Sequence, residues 1–207
     1  MSDLPSHPDL RIIAREVGFR RHLRVEVFRF QHRLYSGEWS GERLYDIVRR
    51  GGAVAILLYD PEREAVVLVE QFRLPPLLAG FSPWIIEVVA GLIDHAEESE
   101  ADVARRETVE EAGIEAIGEL IPIQRYLPMP GNSDEAVMLF CGRVDSSQAG
   151  GVHGLPDEHE DIRVVVKSLG ELETMLDAGQ IDTGHTLICL YWLLRHREQV
   201  RARWGLA

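Results

Sequence analysis

The 207-residue chain has little cysteine, and this limits the kinds of site it can build. Its only two cysteines, Cys141 and Cys189, each lie inside an apolar run. No CxxC pair or spaced cluster of cysteine and histidine accompanies them. This pattern excludes a structural zinc site and a disulfide framework, so we expect both thiols to be reduced core residues.

The sequence also lacks a block rich in lysine and arginine. It has 34 acidic against 22 basic residues and a formal net charge of −12. Proteins that follow a nucleic-acid backbone present a basic patch or stripe, so we expect no nucleic-acid partner. With 45% hydrophobic and 27% charged residues, the composition is that of an ordinary globular protein.

Long apolar runs are missing as well. The longest, Leu187 to Leu194, is far shorter than the roughly 20 residues that span a bilayer. The first residues, MSDLPSHPDL, lack the basic and apolar regions of a signal peptide. We therefore expect no membrane partner and a cytoplasmic location.

Near the start of the chain, apolar and polar residues alternate as in a half-buried strand. Leu23, Val25 and Val27 alternate with Arg24 and Glu26, and the pattern resumes in shifted phase through Phe28 and Phe30. Turn residues follow in SGEWSGE, and a new apolar block begins after Gly52. We expect a small β-region over residues 1–48 and a second domain over residues 49–207.

The second domain mixes strand and helix patterns. AVAILLYD and AVVLVEQF predict two strands joined by a DPERE turn, and WIIEVVAG predicts one buried strand that ends at Gly91. A helix is expected from the N-cap Ser99 to Ala112, with Gly113 as its left-handed C-cap. Further strands are expected at IPIQRYL, AVMLFCGRV and IRVVVKS, and helices at LGELETMLDAG and from Thr186 to Trp204.

The expected helix carries three carboxylates on one face. Glu107, Glu110 and Glu111 stand at positions i, i+3 and i+4. Glutamates on a helix are usually only a solvated face, but like charges at this spacing repel each other. Mg²⁺ prefers carboxylate oxygens and bridges readily to phosphates, so this face suits a Mg²⁺–pyrophosphate complex.

Further residues around this face resemble the Nudix box, G-x5-E-x7-REUxEExGU with U apolar. Gly91, Glu98, Arg106 and Gly113 match it, and from Glu98 onward the spacing agrees. Two departures occur: six residues separate Gly91 from Glu98, and Thr108 stands at an apolar position. A register through Glu97 restores the five-residue gap but loses the match at position 106, so we favour a one-residue insertion in the loop.

The resemblance implies roles for the box residues. Glu107 and Glu111 would bind Mg²⁺, with Mn²⁺ a possible substitute. Glu110 would be a further ligand or a water-bridged one, and the Ala90 carbonyl would be another ligand. Arg106 would hold the glutamates by paired hydrogen bonds, supported by Glu98. Gly91 and Gly113 would complete the structural framework.

A second acidic stretch lies in GVHGLPDEHEDIRV, just before an expected strand. From composition alone, a flexible acidic surface loop is an equally good interpretation. The run nevertheless looks like the catalytic loop of the ADP-ribose pyrophosphatase branch of the Nudix family. Carried over, Glu158 would be the general base that activates water, and Glu160 would be a metal ligand.

Three other residues complete the candidate site. The motif EQFR, Glu70 to Arg73, also resembles that branch, where the arginine contacts substrate phosphate. Glu135, in MPGNSDE, stands at a position resembling the glutamate that meets the terminal ribose. Glu87 lies in an otherwise apolar strand, where burial without a partner is costly, so we expect it to face the site.

The resemblance covers nearly the whole chain and implies a Nudix α/β/α sandwich with a mixed sheet, preceded by a small β-domain. It further implies a homodimer that the β-region of residues 1–48 holds together, with a substrate site to which this region of both chains contributes. The implied reaction is hydrolysis of ADP-ribose to AMP and ribose 5-phosphate. Three alternatives stay open: another nucleoside diphosphate sugar such as GDP-mannose, a non-catalytic ADP-ribose-binding regulator, and a structural interaction module. Retention of the box carboxylates argues against the last two.

Overall fold

The computed structural model describes residues 4, 6–94 and 97–206, apart from the side chain of Glu158. The chain divides into two compact units. The N-terminal unit contains the chain up to Gly51 together with Leu127–Ala136, and the larger unit contains Gly52–Tyr126 and the chain from Val137 onward. The assignment of dimerisation to residues 1–48 and of hydrolysis to residues 49–207 stays a prediction.

The N-terminal unit contains an antiparallel sheet of three strands in the order β1-β2-β3: Leu10–Arg20, Arg24–His32 and Arg43–Arg49. Only β2 was expected as a strand, and its burial was predicted wrongly. Glu26 is fully buried, whereas Val25 and Val27 are only partly buried. Side chains along β2 do alternate between the two faces of the sheet. The face that carries Glu26 is the buried one, because Arg15 and Arg49 form hydrogen bonds with its carboxylate.

The larger unit is built on an eight-stranded mixed sheet. Six strands follow the order β10-β11-β5-β4-β9-β8, while β6 pairs with β5 and β7 pairs with β4. In chain order the strands are β4 Gly52–Asp60, β5 Ala65–Phe72, β6 Trp84–Glu87, β7 Val89–Leu92, β8 Ile117–Tyr126, β9 Ala136–Arg143, β10 Val152–His153 and β11 Ile162–Ser168. The strands expected at AVAILLYD, AVVLVEQF, IPIQRYL, AVMLFCGRV and IRVVVKS are confirmed.

Helices cover both faces of this sheet, as the alternation along β4 shows. Val54, Ile56 and Leu58 pack in one core with Val103 and Ala104, whereas Ala55, Leu57 and Tyr59 pack in a second core with Leu172 and Leu190. Two-sided burial explains why β4 is almost continuously apolar. The helices are α1 Leu74–Leu78, α2 Glu100–Ala112, α3 Leu169–Asp177 and α4 Gly184–Arg203. The predicted α/β/α architecture with a small N-terminal β-sheet is confirmed.

The single strand expected at WIIEVVAG is wrong. The segment forms two short strands, β6 and β7, which pair antiparallel with β5 and β4 respectively. Val88 lies between them, and its backbone N–H donates to the buried Thr186 Oγ1 at 3.1 Å. Because the segment passes from one partner strand to the other, its pairing cannot be continuous, although its apolar composition suggests one strand.

Both cysteines are fully buried, as expected. Within the described residues, no helix is both long enough and apolar enough to cross a membrane.

Candidate active site

Helix α2 has defined ends, which fix the positions of its carboxylates. Ser99 caps the N-terminus, where its hydroxyl accepts from the Asp102 N–H at 3.2 Å and Asp102 bonds back to Ser99. Gly113 ends the helix with φ of 65°, a left-handed conformation that costs glycine little. Both expected caps are confirmed. Thr108 occupies an apolar position without cost because its buried hydroxyl donates to the Ala104 carbonyl at 2.6 Å.

Arg106 holds two of the three carboxylates. Its guanidinium donates to Glu107 Oε1 and to Glu110 Oε2, each at 2.9 Å. It also lies 3.4 Å from Glu98 Oε1. A rigid planar fork can serve several carboxylates at once, so Arg106 keeps this part of the face aligned. His95 and Ala96, where the loop insertion was expected, lie outside the described residues.

The third carboxylate, Glu111, contacts the strand that precedes the helix. It is only 4% exposed, and its Oε2 accepts from the Ala90 N–H at 3.2 Å. The neighbouring Gly91 is equally close to the face, because a Cβ atom there would lie 2.0 Å from Glu107 Oε1. Glycine at position 91 thus leaves room for the Glu107 carboxylate beside the end of β7.

The acidic loop is docked at the C-terminal end of α2. The Gly154 N–H donates to the Glu110 carbonyl at 3.1 Å. The His153 ring packs so closely on Gly113 that a Cβ atom there would lie 2.2 Å from Cε1. The Glu160 carboxylate is oriented by the Leu155 N–H at 3.0 Å. Glu158 ends a short 3-10 helix, Pro156–Glu158, and its side chain lies outside what the structure describes.

The surroundings make it difficult to ionise this face fully. Burial is the main cause that raises the pKa of Glu107 to about 7. The negative charges of Glu110 and Glu160 raise it further, whereas Arg106 lowers it. Burial likewise raises the pKa of Glu111 to about 8. The charges of Glu107 and Glu160 raise it further, whereas the hydrogen bond from the Ala90 N–H and the charge of Arg73 lower it. Glu107 and Glu160 thus act electrostatically on Glu111, and the positive charge nearby does not offset the effect of burial and of these like charges.

The two residues expected beside this face form a pair. Arg73 Nε donates to Glu87 Oε2 at 3.0 Å, and the Arg73 charge lowers the pKa of the Glu111 carboxyl. Glu87 is thus partly buried but not unpaired. Glu135 belongs to the N-terminal unit, where it accepts from Arg50 Nε at 3.2 Å.

The residues present fit a divalent cation chemically. The face offers hard carboxylate oxygens with a deficit of positive charge, and the buried Glu98 Oε2 has no hydrogen-bond donor among the described residues. No three carboxylate, imidazole or thiol groups of the described chain already converge as a preformed metal cluster. Arg106 and the Ala90 N–H hold the carboxylates by hydrogen bonds instead.

Sequence reasoning missed two residues that support the site. Thr186 accepts the Val88 N–H at the junction of β6 and β7, and His153 packs against Gly113. The only sequence signal for Thr186 was its place at the start of an expected helix. His153 stands two residues from a Gly-Gly pair, which marks a loop but gives no indication of its contact.

Comparisons with known proteins agree with this geometry. The model of the NUDIX domain matches residues 49–186. The ADP-ribose pyrophosphatase of Escherichia coli strain K12 is 40% identical over 197 residues, which cover 95% of this chain and 93% of that protein. A GDP-mannose pyrophosphatase of Citrobacter koseri is 35% identical over 149 residues, 72% of this chain and 76% of that protein.

A solved structure described as an ADP compounds hydrolase superposes with a TM-score of 0.69 at 20% identity, covering 99% of this chain and all of that chain. At this identity the match bears on the fold alone. The family match and the extended identity establish that the chain belongs to the Nudix family. The resemblance inferred from the box and the acidic loop is thereby confirmed.

Proposed function

We propose that this protein hydrolyses the pyrophosphate of ADP-ribose to AMP and ribose 5-phosphate with Mg²⁺. The observation that carries the proposal is the carboxylate face of α2, where Glu111 is 4% exposed and the Glu107 carboxylate lies against Gly91 near the end of β7. The relative from E. coli, named an ADP-ribose pyrophosphatase and similar along almost the whole chain, supports the substrate.

The metal would be held by Glu107, Glu111 and Glu160, with Glu110 and the Ala90 carbonyl as further ligands and Mn²⁺ as a substitute. When bound, the cation supplies a Lewis acid that neutralises charge developing on the pyrophosphate oxygens. Arg106 and Glu98 align the carboxylates, while Gly91 and Gly113 permit the close contacts with Glu107 and His153. Arg73, oriented by Glu87, contacts a substrate phosphate, and Glu135 binds the terminal ribose.

The attacking water needs a base, and we assign this role to Glu158. Its loop is tied to α2 through Gly154 and Glu110, which keeps the segment near the carboxylate face. Glu158→Gln should lower kcat by roughly 10²- to 10⁴-fold with little change in KM. A near-normal kcat would move the role to Glu160 or a box glutamate.

The nearest competing substrate is another nucleoside diphosphate sugar. The similarity to the GDP-mannose pyrophosphatase covers a smaller part of the chain and is weaker evidence than that to the ADP-ribose enzyme. Chromatography of products after incubation with Mg²⁺ and a panel of nucleoside diphosphate sugars decides between them. We expect AMP and ribose 5-phosphate as the dominant products. Faster release of GMP from GDP-mannose would overturn the assignment, and binding of ADP-ribose without any product would indicate a regulator.

A homodimer is supported by the surface of the N-terminal unit. Strand β1 has no fully buried residue, and Ile13, Val17 and Phe19 are about half exposed. A three-stranded sheet of this kind needs another apolar surface to cover its side chains. Sedimentation should give a mass near twice 23.4 kDa. Phe19→Asp should reduce the measured mass to that of one chain, whereas Tyr35→Asp, at an exposed turn position, should leave it unchanged. A monomeric wild-type protein with full activity would refute the dimer.

A further inference from the structure

A buried carboxylate in the N-terminal unit is surrounded by three arginines. Glu26 is fully buried and accepts from Arg15 at 2.8 and 2.9 Å, from Arg49 at 2.6 Å and from Arg24. One arginine in a bidentate pair gives each oxygen of a carboxylate one donor. The additional arginines therefore connect Glu26 to other parts of the unit.

Arg49 makes the longest of these connections. Its NH1 group binds Glu26, while its Nε donates to Asp134 Oδ2 at 2.5 Å. Asp134 Oδ1 in turn accepts from the backbone N–H of Arg50 at 2.8 Å. The guanidinium thus bridges two carboxylates that are 108 positions apart in sequence, from 26 to 134.

Asp134 belongs to the loop between β8 and β9, which lies on the end of β3. Backbone bonds join Val48 to Asn132 at 2.8 Å and to Asp134 at 3.2 Å. The next residue along the chain is Glu135, whose backbone N–H donates to Ser133 Oγ and whose side chain accepts from Arg50 Nε. Any displacement of Asp134 therefore moves the Glu135 backbone directly.

We propose that Glu26 and Arg49 are positioning residues for Glu135, and that they act through Asp134. The fully buried Glu26 restricts Arg49 to one orientation, and the rigid fork of Arg49 then fixes Asp134 and the loop beside it. The contacts place Glu135 at one defined position on the N-terminal unit. The consequence for substrate rests on the proposed function, in which Glu135 binds the terminal ribose.

Two variants interrupt the chain of contacts with little change in size. Asp134→Asn keeps an acceptor for the Arg50 N–H but presents an amide N–H₂ that cannot accept from Arg49. Arg49→Lys keeps the charge, yet a single ammonium group cannot reproduce the planar bridge between Glu26 and Asp134. The matched control is Glu42→Gln, which removes an ion pair between Glu42, just before β3, and Arg29 of β2. Both side chains are about half exposed and remote in sequence from the loop.

The first measurement is amide hydrogen exchange, which does not depend on any activity. Asp134→Asn and Arg49→Lys should each accelerate exchange within residues 132–136 by about tenfold. Glu42→Gln should leave this segment unchanged. Unchanged exchange in both test variants would overturn the positioning role, whatever the substrate proves to be.

The second measurement separates positioning from general destabilisation. For ADP-ribose, both variants should raise KM by about tenfold and leave kcat within about twofold. In a Glu135→Gln background the same substitutions should add no further increase in KM, because the residue through which they act is gone. Additive effects in that background, or a KM rise without faster exchange, would overturn the proposal. If amide exchange is faster in the test variants but KM is unchanged in every variant, including Glu135→Gln, the substrate role of Glu135 is refuted. If the wild-type protein does not hydrolyse ADP-ribose at all, the proposed function itself is refuted.

Discussion

The two units each bury a glutamate, and these two glutamates behave in opposite ways. Hydrogen bonds from Arg15, and then from Arg49, lower the pKa of Glu26 to about 2 although burial opposes them. Burial dominates at Glu111 and raises its pKa to about 8. Glu26 is 0% exposed and Glu111 is 4% exposed, so burial does not distinguish them.

The difference lies in the partners. Arginines saturate Glu26, which therefore needs no further cation and serves as a structural centre. Glu111 has one backbone donor, and the neighbouring Glu107 and Glu160 carry the same charge. A buried carboxylate with a deficit of positive partners is a strong indication of a cation site, whereas burial alone is a poor one.

The sharpest test of this contrast is the same substitution at both positions. Glu111→Gln should reduce kcat with Mg²⁺ by about 10³-fold, since it removes a ligand charge from the proposed metal site. In chelator above about pH 8, where Glu111 is ionised, the variant should be as stable as wild type or slightly more stable, because the amide relieves a charge buried among like charges. Steady-state kinetics and thermal unfolding check both parts. An unfolded Glu111→Gln protein would show instead that the carboxylate is structural.

Glu26→Gln should have the opposite signature. It removes the carboxylate that Arg15, Arg24 and Arg49 share and should cost on the order of 2–3 kcal/mol, which corresponds to an unfolding midpoint lower by about 5–10 °C. Loss of this stability should also occur in the wild type as the pH falls from about 4.5 towards 2, because the folded-state pKa of Glu26 lies below its unfolded value. Circular dichroism across this pH range in wild type and variant measures it. An equal acid response in both proteins would contradict the assignment.

The pH dependence of metal binding should distinguish the units further. Protons bound to Glu107 and Glu111 compete with a cation, and the two pKa values are about 7 and 8. The Mg²⁺ concentration for half-maximal activity should therefore fall by roughly 50-fold from pH 6 to 7, where both protons compete, and by roughly tenfold from pH 7 to 8. The metal-free protein should lose stability as the pH rises over the same range. At lower pH the raised pKa values let the folded state bind more protons than the unfolded state, and this advantage disappears as the pH rises. A pH-independent Mg²⁺ requirement would mean that the two carboxylates are not ligands.

The smallest expected effect concerns Gly91. A methyl group there would displace the Glu107 carboxylate, which lies 2.0 Å from the position of the added Cβ. Gly91→Ala should raise the Mg²⁺ requirement several-fold while the protein stays folded, because the displaced atoms are at the end of a flexible side chain. Gly170→Ala, where an added Cβ meets nothing within 4 Å, is the control. Equal Mg²⁺ titrations of the two variants would show that Glu107 does not bind the cation.

Much of the fold could be predicted because local signals agree with one another. The caps Ser99 and Gly113 and the continuous apolar strands β4 and β5 each have a direct physical cause in the sequence. The face of α2 followed from helical spacing alone. Assignment of Glu158 and Glu160 depended on the family resemblance, since an acidic loop has no periodicity from which a position can be inferred.

What could not be predicted depends on contacts between distant residues. The local pattern does not show that Glu26 faces the inside of its unit, because two of its three arginine partners, Arg15 and Arg49, lie 11 and 23 positions away. The break at Val88 is likewise invisible in an apolar run whose two halves pair with different strands. In both places, tertiary partners override the pattern that residue types suggest.

The hydrogen bond at that break also has a consequence for how the protein forms. Val88 and Thr186 are 98 positions apart, and Thr186 lies in the first turn of the last helix. During synthesis, the junction next to β7, the strand that carries Ala90 and Gly91, receives this buried partner only after Thr186 has been made. Closing a loop of this length carries an entropic cost that local contacts do not share. Completion of the carboxylate site is therefore coupled to docking of the C-terminal helix, so a truncated or stalled chain cannot present the finished site.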